Sequence, residues 1–170
     1  MCSEDIVLRP WTAADPGAIG SIVRASKKDF HDWLPILLPS LDDFDAFVLA
    51  AASEADRSIG WTYAIEVHDV VVGQCSVHLR EDSCAELGYW VRSDRTGEGI
   101  ATRAVRLLCQ YAERCFSTIV IRCDEGNVRS AAVASAAGFF HVGTVDLDST
   151  ITGTEAQTGR EMTWRLESAL

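Results

Sequence analysis

At 170 residues with 48% hydrophobic side chains, the chain has the size of one globular domain and enough apolar residues to fill one core. A formal net charge of −10 and a pI near 4.7 argue against nucleic acid as a partner, because phosphate contacts need a basic face. No apolar run reaches the roughly 18 residues of a membrane span. The acidic opening Met1-Cys2-Ser3-Glu4-Asp5 leads into no apolar signal segment, so a cytoplasmic protein without a membrane partner is expected.

The elements follow in chain order. Residues 6–11 read as a first strand with Ile6, Leu8 and Pro10 on one face. Thr12 or Asp15 can cap a helix running to about Lys28, with Pro16 in its first turn. Residues 31–35, which hold His31, Trp33 and Pro35, read as a loop. Ser40 and Asp43 form a capping-box pattern that opens a second helix through Phe44, Phe47, Val48 and Ala51. Residues 61–67 alternate as a strand, His68-Asp69 makes a tight turn, and residues 70–79 return with Gly73 marking a bulge. Residues 85–91 form a further strand.

Residues 99–116 are expected to be a helix, with Ile100, Ala104, Leu108, Tyr111 and Cys115 recurring at steps of three and four. A short strand spans 119–123. Val128, Ala132 and Ala136 line the next helix, and Gly138 stands where a left-handed cap belongs. Strands at 139–145 and 161–166, joined by a Thr- and Gly-rich hairpin loop at 149–159, close a mixed α/β domain that spans 1–170. The six cysteines, at 2, 75, 84, 109, 115 and 123, contain no C-x-x-C pair and no zinc spacing. Reduced, packed thiols and no metal are the expectation.

The turn between the strand ending near Val91 and the helix starting near Ile100 carries the clearest chemistry. Gly97 and Gly99, one residue apart, let backbone N–H groups converge on an anion at the positive end of a helix. Ala101 lets a phosphate approach closely. The Rossmann fingerprint fails, because Thr102 occupies its third small position, and no Gly-Lys-Ser/Thr of a Walker loop occurs.

Glu86-Leu-Gly-Tyr-Trp-Val91, the turn Thr96-Gly-Glu-Gly-Ile-Ala-Thr102, Asn127-Val-Arg-Ser130 and Gly138-Phe139 occur in the order that resembles the coenzyme A-binding core, about residues 85–145, of the GNAT acetyltransferase superfamily. Leu8-Arg9-Pro10-Trp11 and Trp33-Leu34-Pro35 are similar to its branch of ribosomal-protein N-terminal acetyltransferases, the Rim type. The resemblance implies a central, mixed, mostly antiparallel, splayed sheet of about seven strands flanked by about four helices. It implies acetyl-coenzyme A as co-substrate, held by Trp90, Val91, Arg92, Arg95, Thr96, Gly97, Gly99, Ile100, Ala101, Thr102, Asn127 and Ser130. Thr96 departs from the usual Arg or Gln; its hydroxyl, Arg92, Arg95 or Arg103 is expected to replace that contact.

Acetyl transfer needs a neutral attacking amine and a donor to the leaving thiolate. Ser130 is the expected donor. Glu86 is the first candidate for the base, since alternation places it on the face of Gly88 and Trp90; a hydrogen-bonded structural carboxylate is the competing reading. His31, Trp33 and His78 are candidates for acceptor binding, with ordinary surface or core roles as alternatives. The expected reaction is direct acetylation of a primary amine, foremost the N-terminal α-amine of a protein or peptide. A small amine (antibiotic, aminoacyl compound or polyamine) is the alternative acceptor, and a non-catalytic coenzyme A-binding module is the alternative class. A monomer or homodimer is expected.

Overall fold

The computed structural model describes residues 2–3, 6–34, 60–80, 83–148 and 154–167. Eight strands among them join in one sheet: β1 (Cys2–Ser3), β2 (Ile6–Pro10), β3 (Gly60–Val67), β4 (Val70–Leu79), β5 (Cys84–Val91), β6 (Thr118–Asp124), β7 (Phe140–Asp146) and β8 (Arg160–Leu166). Their order is β1-β2-β3-β4-β5-β6-β8-β7, and only β5 with β6 is parallel. This is the expected mixed, mostly antiparallel sheet, with a two-residue strand added at one edge. The described residues hold three helices, α1 (Pro16–Trp33), α2 (Ile100–Ala112) and α3 (Val128–Ala137), where four were expected. The missing one, at Phe44–Ala51 with its Ser40/Asp43 cap, lies outside the described residues. No described helix is long and apolar enough to cross a membrane.

Alternation in the strands builds a core on each face of the sheet. Ile6, Leu8, Ile65, Cys75, Val77, Ala85 and Leu87 pack under α2. On the opposite face, Ala64 and Val71 pack with Trp11 and with Ile19, Ile22 and Phe30 of α1. Pro10, the last residue of β2, is exposed. The His68-Asp69 turn has positive φ at both residues (48° and 62°), the mirror-image geometry that suits a twisted hairpin. The expected bulge is present one residue early: Ile65 faces Gly73 and Glu66 faces Val71, so Val72 is the inserted residue. Gly73 beside it admits no side chain, since a Cβ would stand 2.3 Å from the Trp90 carbonyl oxygen.

The α1 helix runs five residues beyond the expected Lys28, through His31 and Trp33, which therefore stand in its last turn and not in a loop. Ile19, Ile22, Ser26 and Phe30 continue one buried face at helical spacing, and that burial outweighs the local loop signal. Asp15 stands at the N-cap position without capping the helix. Its carboxylate instead accepts from Arg9 at 2.8 and 2.9 Å and from the Thr12 amide and hydroxyl at 2.7 and 2.8 Å. The Arg9 hydrogen bonds hold this buried carboxyl at about 2. A group depressed from 3.8 to about 2 supports the folded state above pH 4 and loses that support as pH falls toward 2. Asp15→Asn should therefore cost about 2 kcal/mol at neutral pH, and the gap between wild type and variant should close in urea melts run from pH 4 downward.

In α2 the buried stripe is Ile100, Ala104, Val105, Leu108, Cys109 and Ala112. Tyr111 and Cys115, expected on it, are exposed, because the helix ends at Ala112 and the inward step from Leu108 lands there. In α3 only Ala134 is buried; Val128, Ala132 and Ala136, expected to be core, are exposed. Ala132 and Ala136 face a cleft instead of a packed neighbour. Gly138 is the left-handed cap at φ 101°. The cysteines described, Cys75, Cys84, Cys109, Cys115 and Cys123, are free thiols. Burial pushes Cys75 and Cys109 up to about 12, which keeps them protonated and inert.

Candidate active site

The parallel pair β5–β6 is joined at only three rungs, Cys84 with Thr118, Ala85 with Ile119, and Glu86 with Val120. Beyond Glu86 the two strands part. β5 stays with β4 as far as Val91, while β6 follows β8 as far as Asp124. The sheet thus opens in a V between residues 87–91 and 121–124, whose facing edges have no strand partner on that side among the described residues. A cleft of about 710 Å³ occupies the V and continues over the N-termini of α2 and α3.

The glycine turn forms one end of the cleft. Gly97 and Gly99 have φ of 84° and 72°, and a Cβ at either would have nothing within 4 Å. The turn is thus open space backed by the unpaired first-turn N–H groups of α2, a cradle that an oxyanion fits and a side chain would fill. Arg95, Thr96, Gly97, Gly99, Ile100, Ala101 and Thr102 all line it. Arg92 does not; its guanidinium forks onto Asp94 at 2.7 and 2.8 Å. Arg95 forks onto Glu98 at 2.7 and 2.8 Å, and Thr96 donates its only hydroxyl proton to the Ser93 carbonyl at 2.9 Å. Backbone amides are therefore the donors left at the Thr96 departure, with Arg95 able to exchange Glu98 for a phosphate.

The N-terminus of α3 forms the opposite wall. Asn127 caps the helix, its Oδ1 accepting from the Ser130 amide at 3.1 Å, which leaves the Asn127 side-chain N–H groups for the cleft it lines. Ser130 faces across the V to Tyr89 of β5, with 2.9 Å between Oγ and the phenol oxygen. Cys123 of β6 lies beside them. Burial raises its thiol. Trp90 and Val91 line the cleft, and Trp90 packs edge-on against Phe30 with ring centroids 5.2 Å apart.

A strut from α1 spans the mouth. Arg129 and the Ser93 hydroxyl both donate to the Asp29 carboxylate, while the Ser26 hydroxyl accepts from the Ser93 amide at 3.0 Å. Burial works to raise the Asp29 carboxyl, but its hydrogen bonds from Arg129 and Ser93 hold it below its ordinary value. Trp33 lines this end of the cleft. His31 does not; it is exposed on the last turn of α1, 3.4 Å from Asp32.

At the apex, Glu86 occupies the last joined rung on the face it shares with Gly88 and Trp90. Its Oε2 accepts from Arg80 at 2.9 Å and lies 3.6 Å from Arg122, which is itself 3.9 Å from Glu161. Glu86 is not part of the cleft lining, whereas its neighbours Leu87, Gly88 and Arg122 are. His78, the cross-strand partner of Glu86, is exposed, and its Nε2 is 2.9 Å from the Ser76 hydroxyl. A Cβ on Gly88 would come within 3.0 Å of that hydroxyl, so the glycine keeps the apex open beside the pair. Tyr89, Cys123 and the Asp29–Arg129 strut were missed as site residues. Each depends on a neighbour distant in sequence, and only the strand alternation that sends Tyr89 to the face opposite Trp90 pointed toward any of them.

The family model described as the GNAT acetyltransferase domain matches residues 5–140. No curated protein matches the chain by sequence. Among solved structures, the chain is similar to RimL, a ribosomal L7/L12 alpha-N-protein acetyltransferase in complex with coenzyme A. The TM-score is 0.84 at 20% identity, covering 99% of this chain and 97% of that one. It is similar to RimJ of Mycobacterium smegmatis in complex with CoA-disulfide (TM-score 0.79, 21% identity, 95% and 81% coverage). It is also similar to the microcin C7 self-immunity acetyltransferase MccE in complex with acetyl-CoA and AMP (TM-score 0.82, 19% identity, 96% and 92% coverage). With a match over most of its length and a splayed sheet with a glycine cradle at one end of the V, the chain belongs to the GNAT acetyltransferase family.

Proposed function

We propose that the enzyme takes acetyl from acetyl-coenzyme A bound in the V and transfers it directly to the N-terminal α-amine of a protein or peptide. The observation that carries this reading is the three-rung β5–β6 pairing, which ends at a carboxylate and opens onto a phosphate-sized cradle. The pyrophosphate belongs on the Gly97–Gly99 amides. The pantetheine arm belongs along the free edges of β5 and β6, within reach of Trp90, Val91 and the Asn127 side chain. The thioester then lies near the apex, with Ser130 at the sulfur and Glu86 on the side from which an amine approaches. Ser130 donates to the thiolate as it leaves. Glu86 takes the ammonium proton, directly or through water, by way of Oε1, since Arg80 and Arg122 both lie at Oε2. Trp33 and His78 flank the acceptor approach. The corresponding protein is cytoplasmic, of the Rim-type branch, works without a metal, and is a monomer or homodimer.

The likeness to RimL, an alpha-N-protein acetyltransferase, over nearly the whole chain supports a peptide acceptor. The likeness to MccE, a self-immunity acetyltransferase solved with AMP, favours a small-molecule amine as the second reading. A panel of short peptides with free or formylated N-termini, together with small amines, is to be incubated with acetyl-coenzyme A and read by thiol release. Turnover is expected with free peptide N-termini and not with their formylated twins. Turnover with small amines alone overturns the peptide assignment, and no release with any amine overturns acetyl transfer itself.

A further inference from the structure

A serine hydroxyl has a single proton, and its usefulness to a leaving thiolate depends on where that proton points. Around Ser130 the choice is narrow. The Tyr89 phenol oxygen is 2.9 Å from Ser130 Oγ and 3.0 Å from the Ser130 carbonyl oxygen, and the phenol likewise has one proton. If the phenol donates to the carbonyl, Ser130 turns its own proton onto the phenol oxygen and offers the cleft only lone pairs. If the phenol donates to Oγ, the Ser130 proton is released toward the cleft. The two arrangements differ by a rotation of two O–H bonds, with no heavy atom displaced.

We infer that Tyr89 is a positioning residue that turns Ser130 into a hydrogen-bond donor at the leaving sulfur; this rests on the acetyl-transfer role given to Ser130 above. The surroundings favour the donor arrangement once negative charge develops. An anion in the cleft attracts the Ser130 proton, and Tyr89 is the neighbour on β5 whose O–H can replace it at Oγ. As the carbon–sulfur bond breaks, its electron pair stays on sulfur. The bond to the amine nitrogen forms, and the ammonium proton leaves on the Glu86 side. Nothing is oxidised or reduced. Tyr89 keeps its proton throughout, because burial pushes its phenol well above the ordinary range. It acts by orienting Ser130 and not as an acid.

The test needs no turnover. A donor aimed at a thiolate lowers the pKa of the thiol. That pKa is read for bound coenzyme A from the ultraviolet absorbance of the thiolate, as the difference with and without coenzyme A. In wild type it is expected about one unit below its value in Tyr89→Phe. Ser130→Ala should move it in the same direction and at least as far as Tyr89→Phe, and the double variant should go no further than Ser130→Ala, because Tyr89 acts only through Ser130. Affinity for coenzyme A at low pH, where the thiol is protonated, should stay within about twofold by calorimetry. In turnover, kcat of Tyr89→Phe should fall on the order of tenfold with KM for acetyl-coenzyme A unchanged.

Replacing tyrosine by 3-fluorotyrosine keeps the phenol, strengthens it as a donor, and should move the bound thiol the opposite way, which keeps the test valid if Tyr89→Phe folds poorly. A Tyr89→Phe thiol that titrates with wild type while Ser130→Ala differs overturns the inference. So does a double variant whose shift is the sum of the two singles. If Ser130→Ala itself titrates with wild type, Tyr89 has nothing to position and the inference fails, while thiol release by the wild-type enzyme still decides the acetyl-transfer reading separately.

Discussion

Gly99→Val is expected to abolish measurable coenzyme A binding, a loss of at least about 100-fold in affinity by titration calorimetry. Two effects act together. Gly99 is the residue just before α2, at φ 72°, a backbone region in which a β-branched residue is strained by about 1–2 kcal/mol. Its Cβ position opens on empty space, which is the space an anion must enter to reach the amides of α2. The valine side chain would fill the cradle and also tilt those amides away from it. Because a Cβ there meets no protein atom within 4 Å, the fold should survive, with a Tm only a few degrees lower for strain of this size. Gly99→Ala should show the same loss in weaker form. Wild-type affinity in Gly99→Val would remove the turn as the coenzyme site.

Glu86→Gln should lower kcat by about 100-fold at neutral pH, at the lower end of what a positioned base contributes, and leave coenzyme A affinity unchanged. Gln keeps the shape of Glu86 and can still face Arg80, but it cannot take a proton. The glutamate sits at the last joined rung of β5 and β6, where the V closes, and its two guanidinium partners both lie at Oε2. The variant also leaves Arg122 without its 3.6 Å counter-charge, so an effect on acceptor KM is expected alongside kcat. A rate profile across pH that superimposes on wild type would show the carboxylate to be a structural anchor for Arg80 and Arg122.

What was legible in the sequence is what local physics encodes. The strands from β2 to β8 were readable from alternation at 61–67, from a short apolar run at 119–123 and from apolar stretches between turn signals elsewhere, the His68-Asp69 and Gly138 turns from backbone permissiveness, and the anion cradle from two glycines ahead of a helix. Those signals lie within a few residues of the feature they specify. Errors fell where burial depends on a distant neighbour. The α1 helix continues to Trp33 because Phe30 finds Trp90 to pack on. Tyr111 faces out because the step that meets the sheet from Leu108 is Ala112. Ala132 and Ala136 line an opening, because α3 faces a gap where a straight sheet would have put a neighbour.

The tertiary structure alone decided how the site is assembled around the Gly97–Gly99 turn. The three-rung junction of β5 and β6 sets where the V begins, and no local pattern encodes where two strands stop pairing. From that junction follow Glu86 held beside Arg122, Tyr89 held against Ser130, and Asp29 joined to Arg129, partners that stand 36, 41 and 100 positions apart. Side chains that far apart meet only through strand register and helix placement. Periodicity can therefore say which face a residue takes, and the fold decides what waits for it there.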